Sequence, residues 1–243
     1  MTRFLPRLYP GWVYDYFCRQ FLRSRRYSYA QCGEDMILDV IFLNRDNGFY
    51  VDVGANNPFE QSNTCHFYRK GWTGINIDAL PNSMREFNKH RPRDINLEIP
   101  ISDIEEVLIY HMYETSFYNG FSPAEPADID HVKLIGTRSV QTQTLSRVLD
   151  GHVLGHEIDF LSVDVEGWDL RVLKSNDWSR FRPKVVVVES FAYGDSASST
   201  TAGIGGYLDQ NGYLYLCGTL VNAFYIERSF CRSRFGGCRE PGP

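Results

Sequence analysis

The 243-residue sequence has no CxxC pair, no long apolar run and no excess of basic charge. Each absence excludes something. The six cysteines (Cys18, Cys32, Cys65, Cys217, Cys231 and Cys238) lack zinc-ribbon spacing, so they read as free thiols in a reducing compartment, and the expected location is the cytoplasm. Apolar runs such as Val185 to Val188 fall far short of the ~20 residues that span a bilayer. A net charge of -5 argues against nucleic acid as a partner, because neutralising phosphates needs a surplus of Lys and Arg on one face. No repeat of solenoid period and no low-complexity tract is present. With 43% hydrophobic and 23% charged residues, the composition is that of a globular domain.

The first 26 residues stand apart. Arg3, Arg7, Arg19, Arg23, Arg25 and Arg26 face one acid, Asp15, while Trp12, Val13, Tyr16, Phe17 and Phe21 recur at helical spacing. This pattern describes a basic amphipathic arm. It would either dock its aromatic face on the protein's own core or lie on an anionic membrane surface, making the protein peripheral to the membrane. The apolar core and small-residue cleavage site of a signal peptide are missing from it. The expected organisation is therefore an arm over 1–26, one folded domain over 27–234 and a Gly-Pro-rich tail over 235–243.

From Gly33 onward the chain alternates. A helix is expected over Gly33 to Leu43 and a first strand over Phe49 to Val53. Further strands are read at Gly74 to Asp78, Ile95 to Ser102, Ile158 to Val165 and Lys184 to Glu189. Helices open between them near Ser62, Pro81, Thr144, Trp168 and Thr200, the signature of β-α units and a mainly parallel sheet. Tyr213 to Leu220 and Asn222 to Phe230 leave no room for a helix between them, which predicts an antiparallel hairpin at one side of the sheet. Val107 to Val140 reads as an extension of the third unit.

Acids recur where these strands end. Asp52 to Asp78 is 26 residues, Asp78 to Asp103 is 25, and Asp164 to Glu189 is 25, about one β-α unit each. Parallel strands end on a common edge, where open α/β sheets bind their ligands, so all five acids are expected on one rim. Helix capping accounts for such residues singly more readily than for the set. The first loop, Gly54-Ala55-Asn56-Asn57-Pro58, has one glycine of the three in a dinucleotide fingerprint, and Asp52 beside it disfavours a phosphate. An acid at the second strand end holds ribose hydroxyls. A nucleoside with cationic groups and no phosphate is S-adenosylmethionine, the cofactor these residues predict.

Four ordered blocks carry a family resemblance: YSYAQCGEDMIL (27–38), GFYVDVGANNPFEQSNT (48–64), GWTGINIDALP (71–81) and IDFLSVDVEGWDLRVLKS (158–175). Together they resemble the FkbM family of S-adenosylmethionine-dependent methyltransferases, from about Tyr27 to Phe230. Ala30 and Cys32 depart from the family's usual residues. The resemblance implies a Rossmann-like class I methyltransferase fold, α/β with a C-terminal antiparallel hairpin. It also implies O-methylation of a hydroxyl on a sugar, glycan or other natural-product acceptor. The cofactor is assigned to Gln31, Glu34, Asp52, Gly54, Asn56, Asp78, Ser102 and Asp103. Gly54 is expected at a tight turn where the backbone approaches it.

Methyl transfer to oxygen needs alignment of acceptor, methyl and sulfur, and a group to accept the hydroxyl proton. His66, His111, Glu166 and Glu189 are candidates for that role. The acids of VDVEG are favoured, with Asp164 and Glu166 alternating along a strand end so that one faces the cofactor and the other the acceptor. Asp164, Glu166 and Glu189 are the catalytic assignment. The acids permit a divalent metal without requiring one. Two rivals remain. One is a metal-dependent nucleotide-sugar glycosyltransferase using Asp164-Val165-Glu166; the other is a non-catalytic, membrane-docked binding protein.

Overall fold

The computed structural model describes residues 27–43, 45–114, 119–121, 132–190 and 197–236. The N-terminal arm and all but the first two residues of the expected tail lie outside them. Among the described residues no helix is long and apolar enough to cross a membrane.

Seven strands form the central sheet: β1 (Phe49–Val53), β2 (Thr73–Asp78), β3 (Ile95–Glu98), β6 (Phe160–Val163), β7 (Val185–Glu189), β8 (Tyr213–Gly218) and β9 (Asn222–Glu227). Their order is β3-β2-β1-β6-β7-β9-β8. The first five are parallel, while β9 runs antiparallel to both β7 and β8. The chain winds outward from β1 through β2 to β3, then returns to the far side of β1 as β6. The topological switch point therefore falls between β1 and β6.

Alternation along the buried strands builds two cores. Val51, Val53, Ile75, Ile77, Leu161, Val163, Val186 and Val188 face one way. They pack on α4 (Leu145–His152), α5 (Asp169–Lys174) and α6 (Ala197–Gln210) through residues such as Val148, Leu173 and Leu208. Tyr50, Phe160, Val185, Val187, Phe224 and Ile226 face the other way. They meet Leu38 and Ile41 of α1 (Glu34–Ile41), Phe67 of α2 (Cys65–Arg69) and Cys231 of α7 (Arg228–Phe235). Both faces are thus dry, which is why VVVV at 185–188 carries no polar residue. Beside the loop after β1, Met84 and Phe87 of α3 (Met84–His90) enclose Ala55.

Several expectations need correction. β3 stops at Glu98, because Pro100 follows and Ile101 makes only an isolated bridge to Gln143. The final strand stops at Glu227, whose carboxylate accepts the Phe230 N–H and starts α7 where a strand to Phe230 was expected. The 107–140 segment is no mere extension: β4 (Val107–Tyr113) and β5 (Leu134–Gln141) pair as a separate two-stranded antiparallel sheet. Cys32, Cys65 and Cys217 are free, but Cys231 is disulfide-bonded, so the reading of six free thiols fails there.

Candidate active site

A cavity of about 420 Å³ lies across the switch point, at the carboxyl ends of the parallel strands. Its floor is Val53, Gly54 and Asn56 after β1, Asp78 at the end of β2, and Asp164 to Glu166 after β6. Glu189 at the end of β7 and Gln31 ahead of α1 close one end. The other end is apolar, made by Ile77, Leu80, Ile99 and Ile101, and roofed by Tyr110 and Phe121 of the β4–β5 unit. Phe121 packs on Tyr110 at 5.3 Å and on Trp168 at 4.7 Å between ring centroids. No Lys or Arg lines this cavity among the described residues.

Asp78 ties two cavity loops together. Its Oδ2 accepts the Asn56 N–H at 2.9 Å and its Oδ1 the Leu80 N–H at 2.7 Å. A carboxylate has about four lone-pair positions, so each oxygen keeps capacity for a ligand hydroxyl. Burial raises its pKa, and the two backbone N–H groups oppose that rise.

Gly54 carries a different burden from the one expected. Its φ is +87°, and a Cβ there would lie 1.7 Å from the carbonyl oxygen of Asp164. The close approach is made by the neighbouring strand, so the glycine is required by the β1–β6 junction before any ligand enters.

Asp164, Glu166 and Glu189 offer carboxylate oxygens within 4.8 Å of one another. The expected alternation of Asp164 and Glu166 along a strand does not occur. β6 ends at Val163, and the chain then turns through left-handed Glu166 (φ 52°) and Gly167 (φ 85°). The buried carboxylate of Asp169 holds this turn by accepting the N–H groups of Val165 and Gly167, both at 3.2 Å. The turn, rather than strand geometry, brings the two acids together.

Convergence shifts their titration. Burial first, then the charges of Asp164, Glu166 and Asp169, push Glu189 up to about 10. Burial and neighbouring Glu166 and Asp169 hold Asp164 well above the usual carboxylate range. Glu166, the most exposed of the three, rises to about 7 through burial and Asp169.

Four of the predicted cofactor residues lie away from the cavity lining. Asp52 alternates onto the opposite sheet face from Val53 and sits in a buried network: Thr64 Oγ1 donates to it at 3.0 Å and itself accepts from Arg91 at 2.7 Å. Burial raises Asp52 to about 6 against the opposing pull of Arg91. Arg91, only 1% exposed, also donates to Ser62 Oγ and to the Pro58 carbonyl, so it fixes the loop that lines the cavity. Removing a buried partner leaves an uncompensated charge. Arg91→Met is therefore expected to lower stability by about 3–5 kcal/mol in a urea titration. Glu34 is fully buried and accepts from Thr219 Oγ1 at 2.6 Å and from the Cys32 N–H at 2.8 Å. Asp103 lies past the shortened β3 and pairs with Arg171 at 2.5 Å, with the buried Ser102 beside it. The convergence of five acids thus reduces to Asp78, Asp164 and Glu189, joined by Glu166. His66 lies instead 3.2 Å from Asp39, and His111 pairs with Thr137 across the β4–β5 sheet.

Sequence reasoning missed the aromatic roof of Tyr110 and Phe121 and the bracing role of Asp169. The alternation in VLIYHMY was a signal for the former. Nothing local marked the latter.

A seven-stranded sheet in the order β3-β2-β1-β6-β7-β9-β8, parallel except for β9, is the class I S-adenosylmethionine-dependent methyltransferase fold. The family model described as methyltransferase FkbM domain matches residues 52–215, and the chain belongs to that family. Three solved structures are similar to it in fold. A fibrillarin/Nop5p complex is 12% identical, covering 86% of this chain and 78% of its own, with a TM-score of 0.43. A TehB-like SAM-dependent methyltransferase from Corynebacterium glutamicum is 10% identical, with coverages of 88% and 96% and a TM-score of 0.38. The 1,6-didemethyltoxoflavin-N1-methyltransferase of Burkholderia thailandensis, solved with 1,6-didemethyltoxoflavin and S-adenosylhomocysteine, is 11% identical, with coverages of 88% and 83% and a TM-score of 0.39. No curated protein matches the chain.

Proposed function

We propose that the protein transfers the methyl group of S-adenosylmethionine to a hydroxyl oxygen of a sugar, glycan or comparable small acceptor. The observation that carries this reading is the division of one cavity: an apolar, aromatic-roofed half, Asp78 at the middle, and three carboxyls at the other end. Adenine fits the apolar half, the ribose hydroxyls meet Asp78, and the sulfonium reaches the acidic end, where negative charge stabilises it. S-adenosylmethionine held there would present its methyl carbon to in-line attack by the acceptor oxygen, with S-adenosylhomocysteine as the leaving group. The hydroxyl proton passes to a carboxylate of the Asp164, Glu166 and Glu189 cluster, of which Glu166, at about 7, is best poised near neutral pH. A nucleotide-sugar donor fits less well, since its diphosphate would meet carboxylates and no lining Lys or Arg.

Calorimetric titration tests the reading. S-adenosylmethionine is expected to bind without added metal, and a uridine diphosphate sugar with Mn²⁺ is not. Asp78→Ala should weaken S-adenosylmethionine by about 1.5–3 kcal/mol, the range for hydrogen bonds to a charged group. Unchanged affinity in that variant would remove Asp78 from the ribose site.

A further inference from the structure

Asn222, the first residue of β9, stands opposite Glu189, the last of β7. Ser190 N–H donates to the Val221 carbonyl at 2.8 Å, which makes Glu189 and Asn222 a non-hydrogen-bonded antiparallel pair. In such pairs the backbones approach most closely and the two side chains stand against each other on one face. Asp164 lies one step beyond the Val163–Val188 register pair, which brings it onto that face as well. Asn222 is 5% exposed, and its Oδ1 is buried with no hydrogen-bond partner among the described residues. An amide oxygen left this way has lost its hydration without a compensating hydrogen bond. Glu189 directly opposite offers a second acceptor, and Asp164 and Glu166 complete a group of four oxygen-bearing side chains.

We infer that Asp164, Glu166, Glu189 and Asn222 form a site for one hard divalent cation, of the Mg²⁺ or Mn²⁺ type, at the acceptor end of the cavity. Carboxylate and amide oxygens are the donor set such ions take, and three carboxyls within 4.8 Å of one another can supply the charge that a divalent ion requires. The cation gives the buried Asn222 oxygen a partner and sits where three carboxylate oxygens already converge within 4.8 Å of one another. Each carboxylate needs to lend only one oxygen, so Glu166 keeps a second to accept a proton. The consequence for catalysis rests on the O-methylation reading, since a bound cation would make the acceptor hydroxyl easier to deprotonate.

The test uses Mn²⁺ alone, added to chelator-stripped full-length protein and followed by the paramagnetic resonance signal of the free ion. One Mn²⁺ per chain is expected to bind in the absence of S-adenosylmethionine. Asn222→Leu should weaken that binding at least about tenfold, in the range seen when groups supporting a metal are removed. Asn222→Asp, which keeps the oxygen and adds charge, should hold Mn²⁺ as tightly or more so, and it serves where the leucine variant does not fold. No uptake by folded wild type at millimolar Mn²⁺ overturns the inference, as does equal affinity in Asn222→Leu or weaker affinity in Asn222→Asp. A parallel S-adenosylmethionine titration in chelator separates the two readings: it fails only if the methyltransferase site is wrong.

Discussion

Gly54→Ala should cost at least about 3 kcal/mol and take cofactor binding with it, because the added methyl has nowhere to go. Two penalties combine. A non-glycine residue at φ +87° is strained by about 1–3 kcal/mol, and a Cβ 1.7 Å from a backbone carbonyl forces β1 and β6 apart. That separation would stretch the Asp164 N–H to Val53 O bond, now 2.9 Å, and displace the Gly54 N–H from Ile77 O, also 2.9 Å. Against a total stability of about 5–15 kcal/mol the loss is large. Denaturant midpoint and S-adenosylmethionine affinity should fall together. A folded Gly54→Ala protein with unchanged midpoint would mean that β1 and β6 do not meet as described.

Glu189→Gln should separate function from stability in the opposite direction. In chelator-treated protein, Glu189 is raised from 4.5 to about 10 by burial and by Asp164, Glu166 and Asp169. A folded-state pKa above the unfolded one means that the folded protein holds this proton more tightly. The stability it lends is complete below about 4.5 and is lost as pH rises toward about 10. Gln imitates the protonated form at every pH. The variant should therefore match wild type near pH 4 and exceed its melting temperature at pH 8. The gain should be about 2–4 °C for each kcal/mol of relieved repulsion in a domain of this size. Under the proposed mechanism methyl transfer should nevertheless fall steeply, since the variant loses one carboxylate of the cluster assigned to the acceptor end. A lower melting temperature at pH 8 with turnover per folded molecule unchanged would make Glu189 a structural residue.

Much of this molecule is written in local pattern. The strand at 49–53, the turn at Gly54 and the apolar run at 185–188 could be read from the chain because strand periodicity, turn chemistry and two-sided burial are properties of adjacent residues. The same holds for Asp78, whose place at a strand end follows from the spacing of β-α units. Spacing does not say which face of a strand an acid takes. Asp52 sits one residue before Val53, and that single step turns it away from the cavity toward Thr64 and the Arg91 network, 27 residues beyond Thr64.

Local pattern was enough for the class of fold, for the sheet edge at which the cavity lies and for the four acids that line it, Asp78, Asp164, Glu166 and Glu189. Their arrangement came from contacts across the fold. A left-handed turn braced by Asp169 brought Glu166 back beside Asp164, and the β4–β5 unit folded Tyr110 and Phe121 over the cavity. Antiparallel register set Asn222 against Glu189. Each of these is a contact between segments far apart in the chain, fixed by how the sheet closes and packs. No period of two or 3.6 residues records where a distant side chain will arrive.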